Sequence, residues 1–186
     1  MKLFARTAEE ADLYVDLEAE AQGEVPVSRK RRKTERRRET FFLYEVRCKS
    51  GKLLEFEFRE DGLPTPRPGL RRKVAYGGPQ QSLLIDAGEW MKVADRHADR
   101  APGSLAGLPE RARREAKADM EIAVAAIEEV MKFLPDGADR VSSASLFSAR
   151  GKAYFNKDVR RFRRDALSAQ LEDFRGRLRR YDSSRV

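Results

Sequence analysis

The run TFFLYEVRCKSGKLLEFEFR, residues 40–59, constrains the fold more than any other part of the chain. Two stretches rich in aromatic residues, 40–47 and 53–59, flank CKSGK, whose Ser50-Gly51 suits the tight reversal of a hairpin. Alternation along the two runs sets Phe42, Tyr44, Val46 and Cys48 against Leu54, Phe56 and Phe58 on one face. The opposite face carries Glu45 and Arg47 across from Glu55, Glu57 and Arg59. A hairpin with one apolar and one charged face follows, and the apolar face requires a partner layer.

The preceding residues divide less clearly. Residues 2–6 predict a short strand, and Thr7 with Glu10 has the spacing of a capping box, which predicts one or two helical turns. Leu13, Val15 and Leu17 alternate with Tyr14 and Asp16, predicting a further strand. From Glu18 to Glu39 no apolar period remains, so a loop is expected. It includes SRKRRKTERRRET, residues 28–40, with eight bases. Residues 29–38 set those eight bases against one acid, Glu35, and so hold seven of the net eight positive charges of the 186-residue chain. The remainder is nearly neutral. Such a basic arm should be mobile unless something acidic orders it.

After the hairpin, DGLPTPRPGLRRKVAYGGP, residues 61–79, holds four prolines and four glycines and excludes a regular element throughout. It marks a crossing segment, 61–81, between a β-rich module at 1–60, with its basic loop 28–40, and a helical region at 82–186. There, Asp86 and Glu89 repeat the capping spacing, and Trp90, Val93, Ala94 and His97 share the face of a helix that Ala101-Pro102-Gly103 ends. A second helix from Pro109 to Leu134 places Met120, Ala123, Val124, Ile127, Val130, Met131 and Leu134 inside. Residues 142–151 predict a short helix. A last long one from Asn156 to Tyr181 has Leu167, Leu171, Phe174, Leu178 and Tyr181 at alternating steps of four and three. That seam suits packing within the chain or against a second copy. The expected fold class is α+β, a small N-terminal β-rich module packed with a C-terminal bundle of three or four helices.

Chemistry is scarce. One histidine and one cysteine cannot build a nucleophilic triad or an ordinary zinc site, so no catalytic residue, metal or cofactor is expected. His97, on an apolar helix face, reads as a half-buried structural histidine. Asp16 on a strand, followed by Glu45-x-Arg47, loosely resembles the metal-binding acids of restriction-endonuclease-like folds, which leaves a metal-dependent nuclease as a remote alternative. The longest apolar run of the helical half, IAVAAI at 122–127, is too short for a membrane span. Acids at Glu9, Glu10, Asp12 and Asp16 stand where a signal peptide is apolar, and a lone Cys48 fits a reducing compartment, so a cytoplasmic location is expected.

A zinc ribbon joins two hairpin strands through a Cys-x-x-Cys-Gly knuckle, and RCKSGKLLEFEF, residues 47–58, has Cys48 and Gly51 at its turn, with Ser50 just before the glycine where a second cysteine would be. With GGPQQSLLIDAGEW, residues 77–90, following it, the layout resembles uncharacterised bacterial proteins in which a zinc-ribbon-like module precedes a helical tail. The resemblance implies a degenerate ribbon without zinc, held by hydrophobic packing, and no known activity.

The expected function is a non-catalytic protein–protein interaction module, an accessory or adaptor subunit of a larger bacterial assembly, with a protein of acidic surface as partner and no membrane. The alternative is nucleic-acid binding through the arm at 29–38 and the Arg-rich last helix. Candidate contacts are Arg29, Lys30, Arg31, Arg32, Lys33, Arg36, Arg37 and Arg38, with Arg160, Arg161 and Arg164. The candidate partner-packing seam, also the route to a homo-oligomer, is Leu167, Leu171, Phe174, Leu178 and Tyr181.

Overall fold

A computed structural model describes residues 3–36, 39–59, 74–104 and 107–183. The chain is α+β: α1 (Ala8–Ala21), β1 (Pro26–Arg36), β2 (Glu39–Cys48) and β3 (Leu53–Arg59) precede α2 (Ala87–Arg100), α3 (Glu110–Met131), α4 (Ala149–Lys157) and α5 (Arg164–Ser183). These elements form two compact units, one of Met1–Gly78 with Ser82–Leu84, the other of Pro79–Gln81 with Ile85–Val186. Most of the expected crossing segment, residues 60–73, lies outside the described residues. Among the described residues no helix is long and apolar enough to cross a membrane.

The first unit is an antiparallel sheet in the order β1-β2-β3 with α1 on its apolar face. The hairpin has the expected faces, with Phe42 opposite Phe58, Tyr44 opposite Phe56 and Val46 opposite Leu54. Gly51, at φ +90°, makes the reversal, and its N–H donates to the Cys48 carbonyl at 2.9 Å. Tyr14 of α1 meets Phe56 and Phe58 edge to face at 6.2 and 6.1 Å.

Three expectations fail in this unit. The alternation at 13–17 belongs to helix α1, whose buried Ala8, Ala11, Val15 and Ala19 fall at steps of three and four. The period of two was a coincidence inside a helical stripe rich in Ala, Glu and Leu, all strong helix formers. The expected strand at 2–6 reduces, among the described residues, to a single bridge between Leu3 and Phe58. The third failure is the largest: the expected basic loop is strand β1, eleven residues long and paired with β2 from Pro26–Cys48 to Arg36–Glu39. Pairing decides this, not local propensity, because β2 has apolar residues on both faces and belongs in the middle of a sheet. Phe41 and Tyr44, on opposite faces, are 1% and 2% exposed.

Thr7 caps α1 as expected, accepting from the Glu10 N–H at 3.1 Å. Glu10 does not return the bond to Thr7. Its carboxylate accepts from the Arg6 backbone N–H at 2.6 Å and from the Arg6 guanidinium at 2.5 and 3.0 Å.

In the second unit α3 packs between α2 and α5, and α4 lies against α2. Its core includes Trp90, Met91, Met120, Ile127, Phe133, Phe162 and Leu167. The buried Asp86 joins two helix starts. Oδ1 accepts from the N–H groups of Gly88 and Glu89 at 3.0 Å each, and Oδ2 accepts from that of Ser148 at 2.8 Å, the residue that caps α4. Gly88 and Gly151 permit this approach: a Cβ on Gly151 would stand 1.8 Å from Asp86 Oδ1. Glu89, like Glu10, turns from its capping residue to an arginine, accepting from Arg150 Nε at 2.8 Å.

The helix expected from Asn156 is broken. α4 stops at Lys157, Val159–Phe162 forms a 3-10 turn, and α5 begins at Arg164. Asp158 causes the break by offering its carboxylate to the Arg160 N–H at 3.2 Å, a local bond that competes with helix continuation.

Candidate functional site

The basic run forms the terminal strand of its sheet, so its charges have fixed directions. Cross-strand neighbours share a face, which sets Arg29, Arg31 and Lys33 beside Val46, Tyr44 and Phe42, and Lys30 and Arg32 beside Glu45 and Leu43. Every residue from Val27 to Lys33 is exposed. Same-face side chains repeat about every 6.8 Å along an antiparallel strand. Arg36 continues the strand, whereas Arg37 and Arg38 lie outside the described residues.

Several acids meet this strand. Arg29 pairs with Asp16 and, at 3.5 Å, with Asp12, both on α1, while Arg32 pairs with Glu45. Burial holds the Asp12 carboxyl above its ordinary range, against the pull of Arg29. Lys30 stands directly opposite Glu45, which on its other side faces Glu55. Opposed carboxylates are unfavourable, so these bases relieve a strain that the hairpin alone would carry. The Arg31 guanidinium carbon stands over the Phe42 ring, 3.9 Å from its centroid. Among the described residues no carboxylate pairs with Lys30 or Arg31.

The sheet has two outer edges, and they differ. Along β3, the Leu3 N–H donates to the Glu57 carbonyl at 3.2 Å, and the Arg59 N–H donates to the Leu3 carbonyl at 3.0 Å. Along β1 no further strand follows among the described residues.

The candidate arginines of the C-terminal half lie in the other unit and have structural work. Arg161 donates to both Asp95 oxygens at 2.7 and 2.6 Å and to Gln170 at 3.3 Å. The Tyr154 hydroxyl also donates to Asp95, and burial with that carboxylate pushes the phenol up to about 12. Arg164 donates to the carbonyls of Ala138 and Pro135 at 2.9 and 3.1 Å, and Arg160 pairs with Asp158 at 3.2 Å. Of the expected seam, Leu167, Leu171 and Phe174 are buried within this unit. Leu178 is half-buried, and the Tyr181 hydroxyl donates to the Pro102 carbonyl at 2.7 Å.

His97 is half-buried, with Nδ1 2.6 Å from Asp119 Oδ1. Burial lowers its pKa, and Asp119 works in the opposite direction. The nuclease-like arrangement does not come together. Asp16 is on a helix over the apolar face and holds Arg29, whereas Glu45 is on the opposite face and holds Arg32. Among the described residues no group of three or more His, Cys, Asp or Glu could hold a metal ion. Cys48, the residue that carried the ribbon resemblance, is a free, buried thiol at the end of β2.

Sequence reasoning found the bases but missed Asp12, Asp16 and Phe42 as their neighbours. The available signal was β2 itself, which adds Phe41 and Leu43 to the face opposite Phe42, Tyr44 and Val46, a pattern typical of a central strand. The chain matches no protein-family model, and comparison with curated proteins and with solved structures gives no match either.

Proposed function

We propose that this protein is an interaction module without catalytic chemistry of its own, an accessory subunit that docks onto an acidic partner through β1. The observation that carries this reading is the placement of five consecutive bases, Arg29 to Lys33, on an exposed terminal strand. A run held in register by backbone pairing loses less entropy on binding than a loose arm of the same charge. The test is a comparative pull-down from native lysate with the wild-type chain and a variant carrying Thr at 29–33. The reading expects a protein retained by the wild type and released by the variant; identical sets of captured proteins would sink it.

A nucleic-acid partner is the second reading, favoured by the spacing of cations along both faces of an extended ribbon. Against single-strand binding stands the burial of the neighbouring aromatics: Phe42 and Tyr44 are 9% and 2% exposed and offer no surface for stacking bases. Duplex or single-strand affinity that falls steeply with salt and vanishes in the same variant would establish this second reading.

A further inference from the structure

We propose that the outer edge of β1 takes up an acidic, extended segment of a partner protein as a fourth strand of the sheet. This rests on the reading of the protein as an interaction module and names the mode and chemistry of the contact.

Of the two sheet edges, that of β3 is occupied by Leu3, and that of β1 is the one with no strand beyond it among the described residues. β1 is regular from Ser28 to Arg36, its single irregularity lying between Pro26 and Ser28. Its outer backbone groups therefore form a continuous row suited to strand addition. Residues 27–33 are exposed, so an added strand meets no packed layer there.

Charge selects the occupant. A strand laid beside β1 places its side chains alternately against Arg29, Arg31 and Lys33 on one face and against Lys30 and Arg32 on the other. Arg29 and Arg32 already form ion pairs, whereas Lys30 and Arg31, on opposite faces, form none among the described residues, although Arg31 draws on Asp12. An incoming acid on each face completes them, and a basic segment is repelled at every position. A second copy is disfavoured for the same reason, since β1 against β1 opposes like charges. Backbone bonds supply affinity that does not depend on sequence, and acids on both faces fix register.

The test uses the full chain and a fluorescein-labelled Glu-Thr decapeptide in which Glu-Glu pairs alternate with Thr-Thr pairs, so that acids fall on both faces of the strand, followed by fluorescence anisotropy at 150 mM salt. Three competitors are a Lys-Thr decapeptide, a single-stranded oligonucleotide, and the Glu-Thr peptide with every backbone nitrogen methylated, which blocks both of its edges. Methylation keeps the charge and removes strand pairing. The proposal expects binding of the Glu-Thr peptide, weakening of tenfold or more on methylation, and a comparable loss in Lys30→Glu. Arg31→Thr, a milder change, should weaken binding less. Circular dichroism checks that each variant folds. Equal affinity of the methylated peptide would overturn strand addition yet leave a charge-based interaction module standing. Tighter binding of the oligonucleotide than of the Glu-Thr peptide would overturn the protein partner, and no peptide binding up to 1 mM would overturn the proposal outright.

Discussion

Single residues carry much of the order in the helical unit, and three of them give sharp expectations. His97 is the chain's one histidine, so its titration can be followed alone by proton NMR. Burial lowers its folded pKa below 6.5, so the folded chain resists a proton that the unfolded chain accepts. The resulting stability is present above pH 6.5 and is lost as pH falls through the folded value. Denaturant titrations between pH 7.5 and 5 should show this loss, and His97→Gln should flatten it. The charges facing His97 are Asp119, which raises its pKa, and Arg100 and Arg96, which lower it, so Asp119→Asn should move the NMR titration further down. Gly151→Ala forces a Cβ into Asp86 and should cost about 3 kcal/mol in urea unfolding. Asp86→Ala removes a carboxylate that serves two helix starts, and should cost at least the ~1 kcal/mol of an ordinary cap.

Elements were legible from the sequence where period and burial agree. The β2–β3 hairpin, the capped start of α2 and the apolar stripe of α3 all show one repeat over a whole element. α1 was misread because Leu13, Val15 and Leu17 give a short stretch of period two within a helical stripe set largely by alanines. β1 was unreadable by itself, since a run of bases has no apolar alternation to report which way each side chain points. Its structure comes from β2, which needs a second neighbour. Amide hydrogen exchange checks this correction: residues 28–35 should alternate between protected and fast-exchanging amides, as inward and outward groups of an edge strand do, whereas uniformly fast exchange would restore the loop. Phe58→Ala removes a ring that is 0% exposed and lies 5.1 Å from Tyr44, and should destabilise the sheet by about 3–5 kcal/mol.

Across the whole molecule, each unit has its own core, with Phe41, Tyr44, Val46 and Phe58 in one and Trp90, Met120, Ile127 and Leu167 in the other. Trp90 is the sole tryptophan and is fully buried, so its fluorescence reports the helical unit. Phe58→Ala should lower the stability of the sheet unit, seen in circular dichroism, while the Trp90 midpoint stays within about 0.5 kcal/mol of wild type, the scatter of independent sites. A Trp90 transition that follows the mutation would mean that the two cores unfold as one.

The edge of β1, beyond which no strand follows among the described residues, also bears on how the protein behaves in a concentrated solution. Unpaired strand edges template aggregation, and clustered positive charge is a common defence. Here the defence is electrostatic, and its reach shrinks from about 10 Å at 0.1 M salt to about 3 Å at 1 M. Added salt should therefore bring copies together instead of dispersing them, and light scattering should rise with ionic strength. The chain should be best behaved in dilute buffer, the reverse of the usual handling of an Arg-rich protein.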